Sequence, residues 1–171
     1  MAHEPRLSRE LRSLLHGRRV AALGTLCENG APLVSMVPYA IEAGQGCLVI
    51  HVSSLAAHTR NLQAAGAVSL LVMRAEVRGE PVHALPRVTL EGQAAVLDPG
   101  SPVWQACRDA YLDRFPQAEP MTRLDDFMFV AIHVSAARQV AGFGAARTID
   151  EDEIAALLRA ARDASSDSVE K

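Results

Sequence analysis

Lysine is nearly missing from this sequence of 171 residues: of its 17 basic residues sixteen are arginine, and the one lysine is Lys171, the last residue. No internal amine is left for Schiff-base chemistry, so cationic recognition falls to arginine and histidine. Cysteine is scarce as well. Cys27, Cys47 and Cys107 form no CxxC pair and have no histidine at zinc-ligand spacing. They offer neither a disulfide framework nor a structural zinc site, and read as buried thiols. There is no Lys/Arg-rich run, and 17 basic against 20 acidic residues leave a net charge of −3. The electrostatic footprint of a nucleic-acid binder is therefore lacking. No apolar stretch approaches the ~18 residues of a membrane span, and the start Met1–Leu7 lacks an apolar signal core, so a cytoplasmic protein with no membrane partner is expected. GxSxG, HExxH and Walker sequences are missing too, which leaves any difficult chemistry to a bound cofactor.

What the sequence does have is a core. With 49% hydrophobic and 22% charged residues it supports one globular domain, expected over residues 1–162, with a polar, disordered tail over 163–171. Leu7, Leu11, Leu14 and Leu15 around Ser8 predict a helix over Ser8–His16, capped by Ser8 and stopped by Gly17. Asn29-Gly30 between two apolar runs predicts a hairpin joining Arg19–Cys27 to Ala31–Ile41. Pro32 and Pro38 cannot donate to a ladder, so that second strand needs an edge, a bulge or a ligand beside it. Further strands are expected at Cys47–Val52, Val68–Met73 and Val88–Val96, and a helix over Leu55–Ala65 opened by Ser53-Ser54. Arg74–Pro86 reads as an exposed loop. A long helix follows Ser101-Pro102, a long strand interrupted at Ser135–Ala137 runs over Asp126–Val140, and a last helix begins near Asp150. Hairpins without alternating β-α units indicate an α+β fold, an antiparallel barrel of six strands with peripheral helices.

The densest polar cluster runs from Ser53 to Asn61, where a strand hands over to a helix. Two hydroxyls, free backbone N–H groups, and His58 and Arg60 within a turn describe an anion seat; an ordinary serine cap with a solvated face describes the same residues. Arg87 either binds an anion or is an exposed strand-end residue. His51 and His133 lie in strands, as core histidines or as ligands, and His83 lies in the loop. Phe143, between Gly142 and Gly144, either stacks on a planar ligand or closes a turn. Asp125-Asp126 reads as a solvated strand start.

The stretches HVSSLAAHTRNLQ (His51–Gln63), PRVTLEG (Pro86–Gly92) and GFGAA (Gly142–Ala146), in this order after the hairpin, carry a resemblance. Over Leu11–Ile149 the chain resembles the pyridoxamine 5′-phosphate oxidase-like flavin-binding split barrels, most closely the branch that includes the haem-utilisation proteins. The resemblance implies a six-stranded split-barrel homodimer with FMN in a cleft at the dimer interface. The flavin ring would lie along Val34, Ser35, Met36 and Val37. The phosphate end would lie near His51, Ser53, Ser54, His58, Thr59 and Asn61, with Arg87 approaching from the facing strand.

The departures from that family narrow the function. Pro32 and Val37 stand where the oxidases carry an arginine and a lysine, and His58 stands where they carry a lysine. These losses argue against vitamin B6 oxidation and weaken FMN, since a charged hydrogen bond is worth ~1.5 to 3 kcal/mol. The expected function is therefore an FMN-binding oxidoreductase acting on an unidentified small molecule. One alternative is haem binding or degradation in the same cleft, with His51, His58 or His83 as ligand, although no histidine follows His133. Another is a non-catalytic binding module.

Overall fold

The structure, a computed structural model, describes residues 4–160. The expected tail over 163–171 lies outside the described residues. Four α-helices and eight strands follow in the order α1 (Arg6–Gly17), β1 (Val20–Leu26), β2 (Pro32–Pro38), β3 (Ala40–Glu42), β4 (Cys47–Ser53), α2 (Ala57–Ala65), β5 (Ala67–Met73), β6 (Arg87–Val96), α3 (Pro102–Arg114), β7 (Phe127–Val140), β8 (Ala146–Ile149) and α4 (Glu151–Arg159). Short 3-10 turns cover Val82–Ala84 and Pro116–Arg123.

All strand pairs are antiparallel, in the order β2-β1-β5-β6-β7-β4-β3, with β8 added to β7. The run expected as one strand over Ala31–Ile41 is divided at Tyr39, and its halves form opposite edges of the sheet. The sheet curls until those edges meet through Tyr39, which makes the barrel. Both prolines of the run bound the edge strand β2, where a missing N–H costs no ladder bond. Tyr39 fixes the closure: its hydroxyl donates to the Leu15 carbonyl at 2.6 Å, and its N–H to the Arg19 carbonyl.

The strand count rises from the expected six to eight because of that division and because β8 follows the Gly142–Gly144 turn. The expected interruption of β7 is a bulge. Glu91 pairs with Ala136 and Gly92 with Val134, leaving Ser135 as the extra residue, whose hydroxyl donates to the Glu91 carbonyl.

Two expected helix caps are corrected. Ser8 lies inside α1, which Pro5 precedes, and its buried hydroxyl donates to Glu153 and accepts from Arg147. Helix α2 begins after Ala56 with no side-chain cap, so Ser53 and Ser54 do not cap it. Ser101 and Asp150 do cap α3 and α4, accepting from Trp104 N–H and Glu153 N–H.

Alternation along the strands produces two apolar clusters. Leu23, Ile50, Leu70, Leu90 and Ile132 fill the barrel interior with Leu11 and Leu15 of α1 and Ile154 of α4. On the outside, α3 covers β4 and β7 through Cys107, Tyr111, Phe115, Val49 and Phe129. The outer face of β2 and β1 stays open: Val34 is 70% and Met36 64% exposed, and Val20 and Leu26 of the neighbouring strand are exposed as well.

Candidate functional site

Strand β4 ends at Ser53, and the chain turns there into α2. The Ser53 hydroxyl donates to Asp126 Oδ2 at 3.0 Å and accepts from Leu55 N–H at 3.2 Å, while Ser54 N–H donates to the Asp126 carbonyl. Thr59 is buried and donates its hydroxyl to the Ser53 carbonyl at 2.7 Å. Asn61 donates across to Thr25 of β1 at 3.0 Å. The polar groups of Ser53, Ser54 and Thr59 hold the turn itself, while Asn61 ties α2 to β1. A carboxylate sits against the hydroxyl intended for an anion. Asp126, expected as part of a solvated strand start, is instead a partner of Ser53, a contact 73 positions away that nothing local in the sequence marks. Burial lowers the affinity of His58 for a proton, which favours its neutral form over a cationic anchor.

His51 faces α3, not a cleft. Its ring packs against Phe129 at 4.4 Å, Phe127 at 5.0 Å and Tyr111 at 5.8 Å, and it is 8% exposed. Desolvation pushes its pKa down to about 4, so it is neutral at pH 7. It is a core histidine, stacked behind the sheet.

On β2, alternation splits the four expected ring contacts. Val34 and Met36 face outward; Ser35 and Val37 face the barrel, and Ser35 Oγ is buried without a partner among the described residues. The outward row continues in register as Val34, Gly24, Ser69 and Glu91 across four strands. Gly24, Val34, Ser69, Gly92 and Ser135 line an open groove of about 440 Å³ there.

Arg87 is elsewhere. Ser53 pairs with Phe127 and Arg87 with Val140, so the two stand at opposite ends of the 14-residue strand β7. A single copy of the chain does not bring Arg87 to the Ser53 turn. It lies instead in a groove of about 530 Å³ together with Arg18 and Arg74. Arg74 reaches that place because its N–H donates to the Pro86 carbonyl at 2.9 Å, beside Arg87. Arg87 Nη1 donates to the Leu85 carbonyl at 3.0 Å and reaches that of His83 at 3.5 Å. His83 and His133 are exposed, and Phe143, on the turn after β7, is 76% exposed. No group of three or more metal-ligating side chains is present among the described residues, and no described helix is long and apolar enough to cross a membrane.

Comparison with known proteins bears on this arrangement. Residues 6–155 match the family described as CREG, beta-barrel. The chain is 27% identical over 150 residues to the haem oxygenase HutZ of Vibrio cholerae, covering 87% of this chain and 84% of that protein. It is 35% identical over 153 residues to the chloroplastic non-canonical haem oxygenase HOZ of Arabidopsis thaliana, but spans only 45% of that protein. Among solved structures, a haem-binding protein from Mycobacterium smegmatis superposes with a TM-score of 0.80 at 30% identity, over 91% of this chain and 62% of that one. A Clostridium acetobutylicum protein of the pyridoxinephosphate oxidase family, 15% identical with a TM-score of 0.65, shares the fold.

Proposed function

The chain belongs to the CREG β-barrel family, a branch of the split barrels resembling pyridoxamine phosphate oxidase, and from that premise we propose that it binds haem rather than FMN. What carries this reading is that a haem oxygenase matches the chain over 84% of its own length, while the turn expected to receive a flavin phosphate holds the Asp126 carboxylate against Ser53. A second negative charge placed beside Asp126 is repelled, and Arg60, the cation of this turn, is held on the Leu55 carbonyl at 3.1 Å.

The residues present fit a haem. The exposed imidazole of His83 is free of the aromatic packing that confines His51, and its backbone adjoins Arg87. His83 is the residue that would hold the haem iron through its imidazole. Bound haem would supply its own redox chemistry; the chain supplies an apolar wall, an imidazole and cations. The open face of β1 and β2, with Val34, Met36 and Leu26 exposed, is proposed to pair with a second copy, which completes the cleft.

Titration of the protein with haem tests the reading through its visible spectrum. A shifted, intensified Soret band that His83→Ala moves or abolishes, and His51→Phe leaves alone, is the expected result. A yellow protein that retains FMN and gives no Soret shift overturns it. Light scattering after size exclusion checks the dimer, and Met36→Arg is expected to convert it to monomer.

A further inference from the structure

We infer that the groove holding Arg18, Arg74 and Arg87 is a carboxylate-binding subsite, and, resting on the haem reading above, that it receives the two carboxylates on the edge of the tetrapyrrole. Three separate parts of the fold bring these arginines to the lining of one groove of about 530 Å³: the end of α1, the residue after β5 and the first residue of β6. The acidic residue on its wall is Glu10, whose carboxylate is bound to Arg6 at 2.6 Å. Arg74 also pairs with Glu80 on the exposed loop. That still leaves Arg18 and Arg87 without a described carboxylate partner. The dipole of α1 accounts for a cation at Arg18, at its C-terminal end, but not for the other two. Like charges gathered in one concave place raise the local potential and concentrate anions there.

The rest of the wall decides what kind of anion. Leu14 and Val140 line the same groove, so the site combines an apolar surface with planar cationic forks. A small inorganic anion leaves that surface unused. A flat apolar acid uses both, since the guanidinium fork matches a carboxylate with two parallel hydrogen bonds. Arg87 is already positioned, because the Leu85 carbonyl anchors one of its nitrogens. Arg18 and Arg74, which the sequence motifs do not include, are assigned here as carboxylate partners.

The test compares acids with their esters. Haem and haem dimethyl ester are titrated by the Soret band, and metal-free protoporphyrin and its dimethyl ester by fluorescence, against the wild type, Arg18→Gln and Arg74→Gln. The wild type is expected to bind each acid about tenfold more tightly than its ester, a preference typical of charge-assisted hydrogen bonds. Each variant should lose several-fold on the acids and nothing on the esters, with an unchanged melting temperature. Arg74 is exposed, which makes its variant the safe one if Arg18→Gln unfolds the chain. Acid and ester binding equally, or no porphyrin binding at all, overturns the subsite. Protoporphyrin keeping its acid preference while haem gives no Soret shift supports the subsite and overturns the haem reading instead.

Discussion

Ser53 donates its hydroxyl to the carboxylate of Asp126 at 3.0 Å, and so the turn between β4 and α2 carries a negative charge where a flavin phosphate was expected. Removing the charge while keeping the acceptor isolates its effect. Asp126→Asn is expected to improve FMN over riboflavin by ~1 kcal/mol, about fivefold, the scale of one like-charge contact near a surface. In the wild type FMN should bind no more tightly than riboflavin. Isothermal titration with both ligands checks this, and a wild type that already prefers FMN strongly would remove Asp126 from the argument.

Gly92 sits opposite the bulge of β7, where a Cβ would lie 2.3 Å from the His133 carbonyl oxygen and 3.1 Å from its carbon. The nearest atoms are all β7 backbone, so no flexible side chain can move aside. Gly92→Ala should therefore destabilise by roughly 2 to 4 kcal/mol, lowering the melting temperature by about 5 to 15 °C. Gly17→Ala, which meets nothing within 4 Å, is the control and should change little.

The sequence makes legible whatever neighbouring residues decide. Asn29-Gly30 announces its hairpin because Gly30 must adopt φ 81°, and Ser101-Pro102 announces α3 because cap and first turn are adjacent in the chain. The prolines of β2 call for an edge, a bulge or a ligand beside the strand, and its place at the sheet edge answers them. What stays hidden is settled by distant partners. Ser8 and Ser53 look like caps, yet Arg147 and Glu153 claim one and Asp126 the other. Tyr39 divides a strand only because barrel closure sends its two flanks to opposite edges. The site follows the same rule: Arg87 is visible in its motif, whereas Arg18 and Arg74 join it only when α1 docks and β5 pairs with β6.

Arg147 ties four elements together. It donates to Glu153 at 2.6 Å, to Gln139 at 2.9 Å and to the buried Ser8 hydroxyl at 3.2 Å, while Gln139 itself donates to the Leu7 carbonyl. Arg147→Met leaves the Glu153 carboxylate without its cation and Gln139, which is 3% exposed, without a donor. A loss of roughly 2 to 4 kcal/mol follows. Glu153→Gln in the same background should add less than it costs alone, and a double-mutant cycle on urea denaturation should return a coupling of about 1 to 3 kcal/mol. Additive losses would mean the contacts are energetically independent.

His51 makes the fold sensitive to acid. Its pKa falls from the ordinary 6.5 to about 4 because burial among Phe127, Phe129 and Tyr111 penalises the imidazolium. In the unfolded chain the same ring takes up its proton near pH 6.5. Between those two values the unfolded state binds more protons, so stability falls as the pH drops from about 6.5 to 4 and this contribution levels off below that. The full span is worth on the order of 3 kcal/mol. His58 shifts in the same direction and adds to the slope. His51→Phe keeps an aromatic ring in the stack and removes the titrating group. Its stability should be flatter than the wild type's between pH 6.5 and 4, with the curves parallel above pH 7. Urea unfolding at half-unit intervals measures both, and identical slopes in the two proteins would show that His51 does not set the acid limb.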